Sequence, residues 1–172
     1  MTFFFYTVLG VVVLQRLWEL VIARRNAVYI RSLGGYEVGA KHYKYIVSLH
    51  VLFFISLTSE VTGTRQELPD WWWLPFSLFL AAQFVRYWCI RSLGRHWNTR
   101  IYVLPGVPLV ARGPYRYIRH PNYLVVVLEL LTLPLTFSAY RTAVVFSLAN
   151  LWLLWRVRIP LEEKALLEKV PD

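Results

Sequence analysis

Apolar residues in this chain do not alternate with polar ones. They come in long blocks separated by short charged segments. A helix needs ~20 mostly apolar residues to cross the ~30 Å hydrocarbon core of a bilayer. Five blocks reach or approach that length: 2–23, 45–61, 71–90, 122–140 and a slightly shorter one at 142–157. The pattern predicts an all-α, polytopic membrane bundle of about five spans, forming a single domain over 1–172. The first block lacks a basic leader and a small-residue cleavage site, so it is expected to stay in the mature protein. Trp71, Trp72 and Trp73 at one end of the third block, and Tyr87 and Trp88 at the other, suit the two membrane interfaces.

Lys and Arg are distributed unevenly between these blocks. Arg24, Arg25, Arg31, Lys41 and Lys44 follow the first. Six arginines fall in 91–121, and Arg156, Arg158, Lys164 and Lys169 lie in the tail, whereas 62–70 holds only Arg65 beside Glu67 and Asp70. The bias of short loops predicts a cell-membrane protein with its N-terminus outside and its long loop and C-terminus in the cytosol.

Composition agrees with a lipid solvent. Of 172 residues, 57% are apolar, against 45–50% in an average soluble domain. Disorder, collagen and coiled coil are excluded. In a soluble protein the net charge of +9 would raise the question of nucleic acid; here the basic residues follow topology, and no nucleic-acid partner is expected. One cysteine, Cys89, allows no internal disulfide and no thiolate metal cluster, and no metal is expected.

The longest basic segment is punctuated by Gly and Pro: Gly94 to Arg100, then Leu104 to Pro108, then Arg112 to Tyr123. Such spacing forbids a continuous helix and forces turns. At membrane depth irregular backbone is tolerated where it lines a cavity or is packed in protein. In the tail, Pro160 suits a first helical turn, with Glu162 and Glu163 favoured there by the dipole. Arg158 and Glu162, four apart, can pair. Carboxylates beside a basic loop make a polar pocket suited to a zwitterion.

Ionisable residues within the spans are Arg16, Glu19, Arg86 and Glu129. Arg16 and Glu19 can satisfy each other, and Arg86 is expected to snorkel to the inner interface. Glu129 has no local partner; it shares a face with Tyr123 and is placed either to reach a cavity or to make an interhelical hydrogen bond. His42 and His50 stand apart from other ligand-type residues and are read as structural, His96 as exposed or interfacial.

The run from Gly113 to Tyr123, followed some 35 residues later by Arg158 to Glu163, resembles the isoprenylcysteine carboxyl methyltransferase family over roughly 93–167. Members are integral membrane enzymes that use S-adenosylmethionine. The resemblance implies that 1–92 supplies three N-terminal spans and 93–172 a cytosolic cofactor-binding loop and C-terminal helix. It places Arg119, His120, Pro121 and Tyr123 in the cofactor cavity, with Tyr115 and Tyr117 nearby. It makes Glu162 the holder of the methionine amino group, with Glu163 beside it. Arg158 steadies the tail or faces the acceptor, and His120 joins Arg158 and Glu162 as a catalytic candidate.

Many members carry a glycine after the tyrosine; here Leu124 and three valines follow. That continuation, with Trp97 and Arg100, looks most like short bacterial members that methylate the hydroxyl of a long-chain alkylpyrone. Trp97, Arg100 and Glu129 are accordingly the acceptor-site candidates. The expected partners are membrane lipids and a lipophilic substrate entering from the bilayer, with no obligate protein partner. Isoprenylcysteine carboxylate is the alternative acceptor.

Methyl transfer suits the residues present. In-line displacement needs positioning, which can supply roughly 7–11 kcal/mol, and an acceptor that is already anionic needs no strong base. No Gly-x-Gly-x-x-Gly offers a Rossmann-type site. From hydropathy alone a non-catalytic scaffold or transporter subunit is the competing class.

Overall fold

The computed structural model describes residues 1–64 and 67–167; Arg65 and Lys169 lie outside them. Five long helices dominate: α1 (Thr2–Ser32), α2 (Ala40–Thr64), α3 (Trp73–Leu93), α4 (Pro121–Thr136) and α5 (Tyr140–Leu153). α5 runs through a π-helical turn, Leu154–Arg158, straight into α6 (Ile159–Leu167). Thr2–Ser32, Ala40–Gly63 and Tyr140–Leu167 are long and apolar enough to cross a membrane. α3 and α4 are apolar helices of 21 and 16 residues. The bundle is inside-out relative to a soluble protein: Phe3, Trp18, Phe84, Leu148 and Trp155 lie exposed on its outer surface, as lipid contact requires.

At the end of the bundle remote from the cavity described below, the interior is aromatic. Phe5 packs edge-on against Phe137 at 5.0 Å, and Phe4 against Phe76 at 5.3 Å. Phe53, Leu57, Phe79 and Leu133 continue this core toward mid-bundle. α4 stops at Thr136, four residues before the apolar block does. Pro134 has no N–H to offer the Leu130 carbonyl, which weakens the last turn of α4, and its own carbonyl closes a turn onto the amides of Phe137 and Ala139 at 3.0 and 2.9 Å. Glu60 of α2 then caps α5, accepting from the amides of Arg141 and Thr142 at 3.0 and 2.8 Å, which satisfies two donors orphaned at a helix start.

The fifth apolar block does not end before the tail. Pro160 falls within a continuous helix, and the wider π turn just ahead of it absorbs the backbone mismatch. This turn buries Arg158. One element has no counterpart in the sequence reading: Tyr36–Val38 (β1) pairs antiparallel with Ile101–Val103 (β2). Ile101 and Val103 bury their side chains with Ala165 and against Leu161, so the ribbon holds α6 to the bundle.

Candidate active site

The loop after α3 is set in place by two side chains that satisfy its backbone or borrow its neighbour's. Asn26 of α1 donates to the carbonyls of Gly94 and Trp97 at 3.1 and 2.7 Å. Asn98 donates to the Ala23 carbonyl at 2.8 Å. Farther along, Gly113 adopts φ +56°, and a Cβ there would lie 2.0 Å from the Ser92 hydroxyl. Only glycine allows the loop to lie this close to α3. The turn that follows, Gly113–Arg116, brings Tyr115 to Cys89. Burial, with Cys89 next, pushes the Tyr115 phenol well above its ordinary value, so it stays protonated at neutral pH.

Pro121 opens α4 in the position where a missing N–H costs nothing. Tyr123, two residues on, donates to a Glu162 carboxylate oxygen and accepts from Arg158 Nε at 3.0 Å. Arg158 also donates to the Thr99 carbonyl at 2.8 Å. Three segments far apart in sequence, the loop, α4 and α6, are thus joined through Tyr123 and Arg158. The His120 ring stacks on Tyr123 with centroids 5.3 Å apart. Its Nδ1 lies 3.8 Å from Glu162 and its Nε2 3.4 Å from Glu163.

Around these groups opens a cavity of about 370 Å³, within the range of small-molecule sites. Tyr115, Arg119, His120, Tyr123, Arg158, Glu162, Trp97 and Arg100 all line it. Trp97 is 1% exposed, and among the described residues its indole N–H has no hydrogen-bond partner; neither does the amide nitrogen of Asn150 nor the amide oxygen of Asn122. Buried polar atoms without partners are rare in folded proteins. Here all three residues line the cavity.

Other candidates lie elsewhere. Tyr117 is 76% exposed and off the cavity wall. Pro121 is buried in the start of α4 and Glu163 sits outside His120, neither on the wall. Arg100 lines the cavity while paired to Glu37 at 2.7 Å and resting over the Tyr43 ring.

Glu129 is enclosed in an interhelical charge cluster. Arg86 binds it through Nε at 2.8 Å and through a second guanidinium nitrogen, and Arg16 donates to it at 2.7 Å. Both arginines also reach Glu19, at 2.5 and 3.2 Å, and Gln83 donates to Glu129 at 2.7 Å. Arg86 therefore does not snorkel: it is 5% exposed, drawn inward by two carboxylates. Of this cluster, Arg16, Glu19 and Arg86 touch the main cavity and Glu129 does not. His50, read as structural, also lies on the cavity wall; its only sequence signal was an imidazole in the middle of an apolar block.

Comparison with known proteins gives a consistent match. The model of the isoprenylcysteine carboxyl methyltransferase (ICMT) family matches residues 73–168. The chain is 44% identical to a Bacillus subtilis (strain 168) protein described as the uncharacterized protein YpbQ, over 95% of this chain and 97% of that one. It is 26% identical to an uncharacterized protein of Haemophilus influenzae, over 91% of each. No solved structure matches at a significant level.

Proposed function

Because the chain belongs to the isoprenylcysteine carboxyl methyltransferase family and is a membrane methyltransferase, we propose that it uses S-adenosylmethionine to methylate the hydroxyl of a long-chain alkylpyrone or a similar lipid enol. The observation that carries the cofactor reading is the junction of Glu162, Tyr123 and Arg158 in a cavity that is also lined by Trp97, Asn122 and Asn150, each with one buried polar atom lacking a partner among the described residues. A carboxylate, a guanidinium and unpaired donors suit a zwitterion carrying an adenine. The bound cofactor supplies an electrophilic sulfonium methyl.

Glu162 would hold the α-amino group and Arg158 the carboxylate end, with Tyr123 fixing both. Arg119 and His120 would close the cavity over the cofactor, and Trp97 would offer its indole N–H to a cofactor or acceptor oxygen. Arg100 borders the acceptor, and Tyr115, with its proton held firmly, acts as a hydrogen-bond donor rather than a base. Glu129 supports the acceptor side indirectly, by holding Arg16 and Arg86. Excluding water strengthens the polar contacts that position cofactor and acceptor. In this reading the cofactor end faces the cytosol and the acceptor enters from the bilayer.

The test is transfer of labelled methyl from S-adenosylmethionine by purified protein, offered in parallel to a long-chain alkyl hydroxypyrone and to an acetylated farnesylcysteine. The expected outcome is label on the pyrone alone. Label on the farnesylcysteine alone would overturn the acceptor assignment. No transfer to either, together with no cofactor binding by folded protein, would overturn the cofactor reading.

A further inference from the structure

The inner end of the cavity is built by α1 and α2, which lie outside the residues matched by the family model. Here His50 Nδ1 lies 2.8 Å from the Ile46 carbonyl oxygen. A carbonyl can only accept, so Nδ1 carries the hydrogen and the neutral ring leaves a lone pair on Nε2. Among the described residues no carboxylate pairs with His50, and the backbone bond to Ile46 is its one hydrogen bond. Beside it, Leu20, Val47, Val51 and Phe54 give the same wall an apolar surface.

The neighbouring charges decide what this end can hold. Arg16 and Arg86 are matched by Glu19 and Glu129, each carboxylate binding both arginines. Two cations against two anions leave no spare positive charge for a further anion. A buried anion without a partner is strongly disfavoured, and a titratable one takes up its proton instead.

Resting on the methyltransferase reading above, we infer that this end is the head-group subsite for the acceptor, with His50 Nε2 accepting a hydrogen bond from a neutral hydroxyl. His50 is thereby a specificity residue: it favours an acceptor that brings a proton over one that arrives as a carboxylate. The acceptor then enters with its hydroxyl intact, unlike the anion expected from sequence. On methylation of its oxygen the O–H proton passes to the Nε2 lone pair of His50, so the positive charge brought by the methyl donor ends on the imidazolium while the donor leaves as a neutral thioether.

The experiment compares binding of a long-chain alkyl hydroxypyrone with that of its methyl ether, which lacks only the donor. Full-length protein in detergent is titrated without cofactor, and tryptophan fluorescence is read. Wild type is expected to bind the hydroxypyrone at least tenfold more tightly than the ether. His50→Phe should bring that ratio to about one, and His50→Gln, which restores an acceptor oxygen, should recover most of it. S-adenosylmethionine affinity, measured by calorimetry, should change less than twofold in both variants, which certifies their fold. A wild-type ratio near one, or an undiminished ratio in His50→Phe, would overturn the inference; if His50→Phe does not fold, His50→Leu replaces it on the same criterion. Failure of the methyltransferase reading shows separately, as a normal ratio without cofactor binding or methyl transfer.

Discussion

Tyr123, in the first turn of α4, donates its hydroxyl to Glu162 of α6, 39 positions later in the chain. Arg158 approaches the same oxygen from the π turn. The phenol therefore holds an anion and a cation apart at a fixed spacing, with both facing one cavity. Positioning of this kind is what a zwitterionic cofactor needs, and it depends on α5 and α6 being one continuous helix.

Tyr123→Phe removes that bridge while keeping the ring. Hydrogen bonds to charged groups are worth roughly 1.5–3 kcal/mol, so S-adenosylmethionine affinity should fall about 10- to 100-fold by calorimetry. Far-UV circular dichroism should not change.

The Arg16–Glu19–Arg86–Glu129 cluster predicts a stability effect with a rescue. Glu129→Ala leaves the buried Arg86 and the half-buried Arg16 sharing Glu19, and breaking such a buried pair costs about 3–5 kcal/mol. The thermal midpoint in detergent should drop sharply. Adding Arg86→Met restores neutrality around Arg16 and Glu19, and the double variant should be more stable than Glu129→Ala alone.

Gly113→Ala tests the close approach of the loop to α3. The new Cβ would meet Ser92 Oγ at 2.0 Å, at a φ of +56° that side chains rarely adopt. Cofactor affinity should fall because Tyr115 and Arg119 shift together. Ser92→Gly in the same background should recover part of it, since the backbone strain remains.

Tyr115 predicts the alkaline limit. Its phenol titrates above the ordinary value in the folded protein, so the unfolded chain loses its proton first as pH rises. The stabilisation it contributes is complete below about pH 10 and declines above it, by about 1.4 kcal/mol per pH unit at most. Thermal midpoints between pH 8 and pH 11 should fall less steeply in Tyr115→Phe than in wild type.

Much of this architecture was legible in the sequence because bilayer thickness imposes a length that hydropathy reveals. The 113–123 and 158–163 segments pointed to the cavity because Gly, Pro and paired carboxylates restrict local backbone. What hydropathy cannot show is which helices face one another. Arg86 reads as an interfacial residue until α1 and α4 bring Glu19 and Glu129 to it. His50 reads as filler until its Nδ1 is seen to be engaged by its own helix. Tyr117 lies inside the motif and still faces outward, because the Gly113–Arg116 turn ends before it. The ribbon of Tyr36–Val38 with Ile101–Val103 leaves no mark in the sequence because three-residue strands carry almost no periodicity.

The central claim is that Glu162, held by Tyr123, binds the cofactor, and calorimetric titration of S-adenosylmethionine into purified wild type and Glu162→Gln tests it most directly. The account predicts saturable one-to-one binding by wild type and a loss of at least tenfold in the variant, with both proteins equally helical. Absence of binding by folded wild type, or equal binding by the two proteins, would contradict it.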